Sequence, residues 1–385
     1  MELALYWPGG GYYTHTSTNG TPLDYFTAPA AHPVFGALLA IQLEEMWRLL
    51  GRPHPFVVVE PGAGSGQLAY DINSYALNLG PSFSDALSYV TIDRSTEIAP
   101  IASDASPFHR IMANGIPLHN VTGCVLSNEL LDALPVHRVI RNHGRLQEIY
   151  VTYSGGKFLE IEDEPSTPSI ASQLEEGQVI LEEGQRAEVC LALDSWIQQV
   201  AAALKRGFVL TIDYGHHAQE LYSPQKLRGT LRCYYKHTLS SNPYVNVGDQ
   251  DITAHVDFTA IETLGTKYGL RNESVKTQAS FLNNVGLRIF QQRLATSGLD
   301  QREQDANRMA MLDLSRPGGM GDFKVLVQGK DVANPAITGI NGSSEQWKKR
   351  MAGLPLPILD ANHLSLMEAR YPHTAQTWEE SWPWQ

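Results

Sequence analysis

The apolar positions of the chain alternate between stretches of helical spacing and short β-branched runs. From Val34 to Leu50 they recur at helical spacing, and Gly51 and Pro53 predict the end of this helix. The run from Phe56 to Val59 is too short for a helix and is flanked by turn residues, so it predicts a buried strand. A glycine-rich turn follows, and then a helical stretch at 67–79. This order of strand, loop and helix is typical of an α/β fold.

The same alternation continues towards the C-terminus. Strands are predicted at 88–92, 123–126 and 208–212, and a helix at 188–204 with Gly207 as its C-terminal cap. We therefore predict an α/β fold with a Rossmann-like sheet. Each strand stops at polar residues, which are Asp93, Ser127-Asn128-Glu129 and Asp213-Tyr214-Gly215 in chain order.

Two insertions interrupt this pattern. Turn signals at 142–144 and 154–156 separate three β-like runs, which predicts an inserted antiparallel meander. A later stretch has helical character and precedes a last sheet strand at Phe323 to Val327. The predicted division is an N-terminal loop and helix (1–55), the first part of the core (56–136), the meander (137–165), the second part of the core (166–277), the helical insertion (278–316), the last core strand (317–329) and a Trp-rich tail (330–385).

Composition and charge narrow the classes of function. Of the 385 residues, 43% are apolar and 18% are charged, as in ordinary globular proteins, and no segment approaches the roughly 20 apolar residues of a membrane helix. The net charge of −12 opposes binding to nucleic acid, because a phosphate backbone needs clustered Lys and Arg. It suits a cationic partner, although many proteins are acidic only for solubility. We expect neither a membrane nor a nucleic acid as a partner.

The cysteines, the N-terminus and the paired histidines add three expectations. Cys124, Cys190 and Cys233 are far apart and lack metal-ligand spacing, so we expect reduced thiols. The first residues match neither a secretory signal nor a transit peptide, and together with the thiols they predict a cytoplasmic protein. No metal is expected at His216-His217, because adjacent histidines tend to point in different directions.

The strongest local signal is the turn Glu60-Pro61-Gly62-Ala63-Gly64-Ser65-Gly66. Closely spaced glycines let the backbone turn sharply and approach a ligand without obstruction by Cβ atoms. A dinucleotide fingerprint would need a third glycine three positions after Gly64, where the chain has Gln67. The spacing instead suits the amino-acid and ribose portions of S-adenosylmethionine. Taken alone, the turn is also compatible with a purely structural role.

Asp93 makes the cofactor hypothesis more specific. It ends the next strand, where a carboxylate can accept hydrogen bonds from both ribose hydroxyls, although a helix N-cap would use the same residue. Tyr12, Tyr13 and Thr27 lie in a loop that could close over the cofactor, and simple loop packing would explain them equally well. The predicted cofactor residues are Glu60, Gly62, Gly64, Gly66, Asp93, Ser127 and Asn128.

The polar cluster after the 123–126 strand is the candidate acceptor site. Open α/β sheets bind their ligands beyond the carboxyl ends of the strands, so Glu129 and Asp132 are expected to face the transferred methyl group. Two carboxylates can hold a guanidinium bidentately and favour a lone pair on the attacking nitrogen. For Asp132, the cap of a following helix is an equally good explanation.

Several strings together resemble the MidA family. They are the glycine turn, residues 127–135, Asp213-Tyr214-Gly215-His216, Gly229-Thr230-Leu231-Arg232 and Asp251-Ile252-Thr253-Ala254-His255-Val256-Asp257-Phe258, with further matches over roughly the first 330 residues. This family includes the mitochondrial complex I assembly factor that methylates arginine. Two departures concern Ala30, where the family usually has an acidic residue, and the tail beyond about Lys330, which has no counterpart.

The resemblance implies a class I methyltransferase sheet with a meander and a helical insertion, binding S-adenosylmethionine and methylating a protein arginine. By the same resemblance, Glu129 corresponds to the first glutamate of the arginine methyltransferase active-site loop. His255 corresponds to the histidine of their substrate loop, although a lone histidine is more often structural. The predicted catalytic residues are Glu129, Asp132 and His255.

Other functions stay open on the sequence alone. One is an O-methyltransferase for a small-molecule acceptor, with His255 as general base and the Trp-rich tail around the acceptor. The other is a non-catalytic assembly factor with the same fold. A homodimer is also possible. Of the two roles for the tail, we favour packing onto its own domain over binding a partner.

Overall fold

The computed structural model describes residues 1–14, 27–94, 107–235, 238–360 and 363. The described helices are α1 (Glu2–Tyr6), α2 (Ala28–Ala31), α3 (Val34–Leu49), α4 (Gln67–Ala76), α5 (Pro81–Ser84), α6 (Ser169–Glu176), α7 (Ala192–Ala203), α8 (Ala218–Leu221), α9 (Phe258–Lys267), α10 (Gln278–Val285), α11 (Leu287–Leu294), α12 (Gln301–Asp313), α13 (Thr338–Asn341) and α14 (Glu345–Gly353). Short 3-10 helices lie at Leu77–Leu79, Leu131–Ala133 and Met320–Asp322.

The described strands form four sheets. They are β1 (Phe56–Pro61), β2 (Leu87–Asp93), β3 (His109–Met112), β4 (Val121–Asn128), β5 (His137–Asn142), β6 (Arg145–Ser154), β7 (Lys157–Asp163), β8 (Arg186–Val189), β9 (Leu204–Asp213), β10 (Gly215–His216), β11 (Arg232–Tyr235), β12 (Thr238–Ser240), β13 (Asp251–Thr253), β14 (Val256–Asp257), β15 (Arg271–Thr277) and β16 (Lys324–Lys330).

The largest sheet has the strand order β15-β16-β9-β4-β1-β2-β3. Strands β3, β2, β1, β4 and β9 are parallel, whereas β16 runs antiparallel to both β9 and β15. The predicted strands at 56–59, 88–92, 123–126, 208–212 and 323–327 all lie in this sheet. The mixed α/β fold with a mostly parallel central sheet is confirmed.

Helices cover both faces of this sheet, which explains why its central strands are continuously apolar. Along β1, Phe56 and Val58 pack in a core with α3, α4 and the helices of the insertion. Val57 and Val59 point to the opposite face, where they join a core with α7 and α9. The helical stretch predicted at 278–316 consists of three helices, α10, α11 and α12.

The inserted meander has one strand more than the sequence predicts. Strands β5, β6 and β7 form the expected antiparallel hairpins, and β8 pairs with β5 on the other side. The helix predicted at 188–204 therefore begins only at Ala192, because the preceding residues take part in this pairing. Gly207 is also not a helix cap, since it lies within β9. Tertiary strand pairing overrides the local helical pattern here.

The N-terminus packs on the small sheet of β11, β12 and β13. Ala4 and Leu5 of α1 are buried against Leu231, Cys233 and Ile252. Much of the loop predicted before α3 falls at 15–26, outside the described residues. Cys124 and Cys233 are buried, Cys190 is partly buried, and all three are free thiols as predicted. None of the helices in the described ranges is both long and apolar enough to cross a bilayer.

The described part of the tail packs back onto the domain. Trp347 of α14 is 8% exposed, and its indole N–H donates a hydrogen bond to the carbonyl of Val285, at 2.7 Å. Met351 of the same helix is fully buried. His363 is buried too, and its Nε2 lies 3.1 Å from Asp71 of α4. Trp378, Trp382 and Trp384 lie outside the described residues.

We expect Trp347→Ala to destabilise the protein by about 3–5 kcal/mol, because it leaves a cavity under α14 and removes a buried hydrogen bond. Urea unfolding followed by circular dichroism measures this loss. Trp7→Ala is the matched control, since Trp7 is 56% exposed and its loss should cost less than about 0.5 kcal/mol. Equal stability of the two variants would contradict the packing of the tail.

Candidate cofactor and acceptor site

The site lies where the order of the central sheet reverses. Neighbouring strands β1 and β4 are parallel, and the chain leaves them in opposite directions, to β2 on one side and to β9 on the other. Loops at the carboxyl ends of two such strands diverge and leave a crevice between them. The glycine turn follows β1, and Glu129 directly follows β4. The two strongest sequence signals therefore lie on the two sides of one crevice.

All three glycines of the turn have left-handed backbone conformations. The φ angles are +72° at Gly62, +53° at Gly64 and +82° at Gly66, which L side chains rarely adopt. A Cβ atom at Gly62 would lie 2.6 Å from the side chain of Leu130. At Gly64, by contrast, a Cβ atom would have no described neighbour within 4 Å. The backbone at Gly64 is therefore open to an approaching ligand.

Asp93 is joined directly to this turn. Its Oδ2 accepts a hydrogen bond from the backbone N–H of Gly64, at 2.9 Å, and its Oδ1 accepts one from the N–H of Arg94, at 2.7 Å. A carboxylate has further lone pairs, so it can also accept from a pair of ligand hydroxyls. Asp93 and the glycine turn are therefore in direct contact, and their common role in binding a cofactor stays a prediction.

Two predicted cofactor residues lie deeper. Glu60 is buried beneath the turn, and its Oε2 accepts a hydrogen bond from the hydroxyl of Tyr89, at 2.9 Å. Burial raises the pKa of Glu60 to about 8. Ser127 is also buried. Both side chains are enclosed, whereas Asp93 is partly exposed and the backbone at Gly64 is open, so the glycines and Asp93 are better placed to touch a ligand.

Glu129 stands at the end of β4 in a left-handed conformation, with φ of +48°. Its Oε1 accepts hydrogen bonds from the backbone N–H of Ala28, at 3.2 Å, and from the side-chain amide of Asn128, at 3.1 Å. Burial, reinforced by the negative charge of Asp132, raises the pKa of Glu129 to about 8. Asn128 thus orients Glu129, which the sequence did not indicate.

Asp132 lies beside Glu129 in the 3-10 helix Leu131–Ala133. Its Oδ2 accepts a hydrogen bond from the hydroxyl of Tyr214, whereas its Oδ1 is buried without a hydrogen-bond partner among the described residues. Burial raises its pKa to about 6. Asp132 lies inside this 3-10 helix, whose N-cap is Leu130, and its side chain caps none of the described helices, so the alternative explanation of Asp132 as a cap is wrong.

Asp213 is a third buried acid that sequence reasoning did not assign to the site. Its Oδ2 accepts hydrogen bonds from the backbone N–H groups of Leu130, at 3.1 Å, and Leu131, at 2.8 Å. It therefore holds the segment that carries Glu129 and Asp132. A usable signal was present, because Asp213 ends a parallel core strand in the same way as Asp93 and Glu129.

His255 reaches the same site through Tyr214. The pairing of β10 with β14 holds the His255 ring 5.6 Å from the ring of Tyr214 and 5.5 Å from that of His216. Burial, with the positive surroundings added, lowers the pKa of His255 to about 4. His216 and His217 diverge, towards Glu220 and Glu262 respectively. In the described ranges no cluster of His, Cys, Asp and Glu could hold a metal ion.

The three acids of the acceptor site share one property. Within the described part of the chain, neither Glu129 nor Asp132 nor Asp213 forms an ion pair with a lysine, arginine or histidine. Buried carboxylates without a cation are costly to ionise, which is why their pKa values rise. A cationic ligand would remove that cost.

Comparisons with known proteins agree on one family. A sequence model described as an S-adenosyl-L-methionine-dependent methyltransferase matches residues 38–275. The mitochondrial protein arginine methyltransferase NDUFAF7 homolog of Drosophila melanogaster is 27% identical over 304 residues, which cover 70% of this chain and 66% of that protein. The human mitochondrial protein arginine methyltransferase NDUFAF7 is 26% identical over 84% of this chain and 77% of its own. The chain thus spans about two thirds of the Drosophila protein.

The chain is also similar to a solved structure that contains the demethylated form of the cofactor. A Burkholderia thailandensis protein bound to S-adenosyl-homocysteine is 28% identical, with a TM-score of 0.77 over 90% of each chain. A native structure from the same organism is 30% identical, with a TM-score of 0.75 over 90% of each chain. The expected cytoplasmic location is wrong by the curated comparison, because the Drosophila and human relatives are mitochondrial proteins.

We expect Gly64→Val to weaken binding of S-adenosylmethionine roughly tenfold or more, because the new side chain fills the open face of the turn and strains its backbone. Isothermal titration calorimetry measures the affinity. Gly144→Val is the control, since Gly144 has a similar φ of +74° and open surroundings in a distant hairpin turn. Unchanged affinity in Gly64→Val would remove Gly64 from the cofactor site.

Proposed function

The chain belongs to the S-adenosyl-L-methionine-dependent methyltransferase family, and from this premise we propose that it methylates an arginine guanidinium of a protein substrate. The observation that carries the proposal is the group of carboxylates of Glu129, Asp132 and Asp213, which lack a cationic partner among the described residues. Asp132 and Asp213 are buried, and Glu129 is partly buried. The curated relatives, which are protein arginine methyltransferases by name, support it independently.

The glycine side of the crevice suits the cofactor. The backbone at Gly64 is open to a ligand. The carboxylate of Asp93, which is bonded to Gly64, can accept hydrogen bonds from ligand hydroxyls. When bound, S-adenosylmethionine supplies an electrophilic methyl group on a sulfonium. We assign its amino-acid portion to the turn of Gly62, Gly64 and Gly66, and its ribose to Asp93.

The acid side of the crevice suits the acceptor. A guanidinium presents planar N–H donors that match carboxylates bidentately, and it keeps its charge at any physiological pH. We assign this contact to Glu129 and Asp132, which together form an acidic wall of the crevice. Their negative charges localise the positive charge of the guanidinium away from one nitrogen, whose lone pair then attacks the methyl carbon.

The same carboxylates can accept the proton that the guanidinium loses after methylation. Methylation joins a nitrogen to the methyl carbon and breaks the carbon–sulfur bond, whose electron pair stays on sulfur. The methylated guanidinium must then release one N–H proton to regain a single positive charge. A carboxylate with a raised pKa near neutrality, as at Glu129 and Asp132, accepts such a proton readily.

The lowered pKa of His255 is unfavourable for the alternative of a hydroxyl acceptor. A general base for a hydroxyl works best with a pKa near the working pH, and a pKa of about 4 makes His255 a weak base. Its backbone N–H is also bonded to Thr230, at 3.1 Å, which fixes the loop at the edge of the acid wall. We therefore assign His255 a role in shaping the acceptor site.

We expect Glu129→Gln to lower kcat at least about a hundredfold, because the neutral amide cannot polarise the guanidinium or accept its proton. The measurement is transfer of labelled methyl groups into protein from a lysate of the source organism. Cofactor affinity should stay within about twofold by calorimetry, since Glu129 faces the acceptor. Glu162→Gln, at an exposed position of β7, is the control. Label confined to small extractable molecules would refute a protein acceptor.

The raised carboxyl pKa values predict a pH dependence. The active form carries ionised Glu129, so kcat/KM should be low below about pH 6 and rise with pH through a pKa of about 8. The sign follows from the charge, because raising the pH ionises the carboxyl group. Initial rates at constant ionic strength measure the profile. A rate that is constant from about pH 6 to pH 9 would contradict the assignment.

A further inference from the structure

A basic cluster adjoins the acidic wall, on the other side of Tyr214. The hydroxyl of Tyr214 donates to Asp132, and its ring contacts the ring of His255, 5.6 Å away. His216 lies 5.5 Å beyond His255. The pairing of β10 with β14 fixes these positions, because Gly215 pairs with Val256 and His216 with Asp257. One aromatic ring therefore separates a wall of acids from a pair of histidines.

Three cations act through their charge on this pair of histidines. The positive charge of Lys226 lowers the pKa of both His216 and His255, after the larger effect of burial. Lys324 acts in the same way on His216, and Arg232 acts on His255. With a pKa of about 4, the His255 ring is neutral at physiological pH and offers one N–H donor.

The hydrogen-bonding capacity of the cluster is not used up. The ammonium nitrogen of Lys226 and the Nδ1 of His255 are both enclosed, and neither has a hydrogen-bond partner among the described residues. An enclosed ammonium without an acceptor is costly. Among the described acids, Glu220 is the one whose charge acts on Lys226. It is bound to His216 at 2.8 Å, and its side chain is 64% exposed. Such an exposed group compensates little of the charge of Lys226.

We propose that Lys226 and His255, flanked by His216 and Arg232, form a subsite for a carboxylate of the substrate. The inference rests on the proposed function, because the guanidinium of the same substrate would lie against Glu129 and Asp132. The site is then bipolar, with the cation held on one side of Tyr214 and the anion on the other. A substrate arginine with an aspartate or glutamate close to it along the chain satisfies both halves.

The test uses a set of short peptides with one arginine and a single aspartate at each of the three positions on either side of it. Each peptide has a counterpart with asparagine in place of aspartate. At one or more positions we expect wild-type kcat/KM for the aspartate peptide to be roughly tenfold or more above its counterpart, as for a charge-assisted hydrogen bond. Free arginine is the second arm, since it offers an α-carboxylate instead of a side-chain carboxylate.

In Lys226→Met, the ratio of kcat/KM between the aspartate peptide and its asparagine counterpart should fall close to one, because methionine keeps the aliphatic stem and removes the charge. Lys226→Arg should retain most of the preference, which separates loss of charge from loss of fold. Lys205→Met is the matched control, since Lys205 is exposed on β9 and should leave both rate and preference unchanged. Thermal unfolding of each variant checks that it is folded.

The outcomes are distinct. Equal rates for every aspartate and asparagine pair, or a preference that survives Lys226→Met, would overturn the subsite and leave arginine methylation intact. Faster methylation of free arginine than of any peptide would refute the inference that the bound carboxylate belongs to an aspartate or glutamate side chain. Methylation of none of these acceptors, with S-adenosylmethionine still bound, would overturn the proposed function and the subsite together.

Discussion

The arrangement of the acceptor site depends on one buried carboxylate. Asp213 ends β9 and accepts hydrogen bonds from two successive backbone N–H groups, those of Leu130 and Leu131. These groups belong to the segment that leaves the neighbouring strand β4 and carries Glu129 and Asp132. A side chain of the next residue, Tyr214, then binds Asp132. The end of one core strand thus positions the functional residues of another, and this coupling requires that the two strands be adjacent and parallel.

Buried charge gives the site its chemical character. Enclosed acids without a cation destabilise their own ionised forms, and a folded protein retains them only where the rest of the structure compensates. The two large cores on either face of the sheet provide that compensation. On the far side of Tyr214 the sign of the charge is reversed, with Lys226 enclosed among histidines. An acidic region beside a basic one favours a ligand that carries both a positive and a negative charge.

Local signals predicted the features that depend on neighbours along the chain. The turn with Gly62, Gly64 and Gly66 needs glycine because its backbone is left-handed, and that requirement is visible in the sequence. The central strands are visible as apolar runs because both faces of the sheet are covered. The strand β8 was missed, because four residues of mixed character become a strand only by pairing with β5, more than forty positions earlier. The supporting place of Glu60 was likewise decided by a distant partner, Tyr89.

The α/β class, the glycine turn and the residues at which the core strands end could be predicted from the sequence, since they follow from apolar period and local backbone conformation. The tertiary structure sets which strand ends meet. It joined Asp93 to Gly64, bonded Asp213 to the segment of Glu129 and Asp132, and brought the ring of His255 against that of Tyr214. The physical reason is that hydrogen bonds, desolvation and charge act through distances in space, which strand order sets and sequence separation does not.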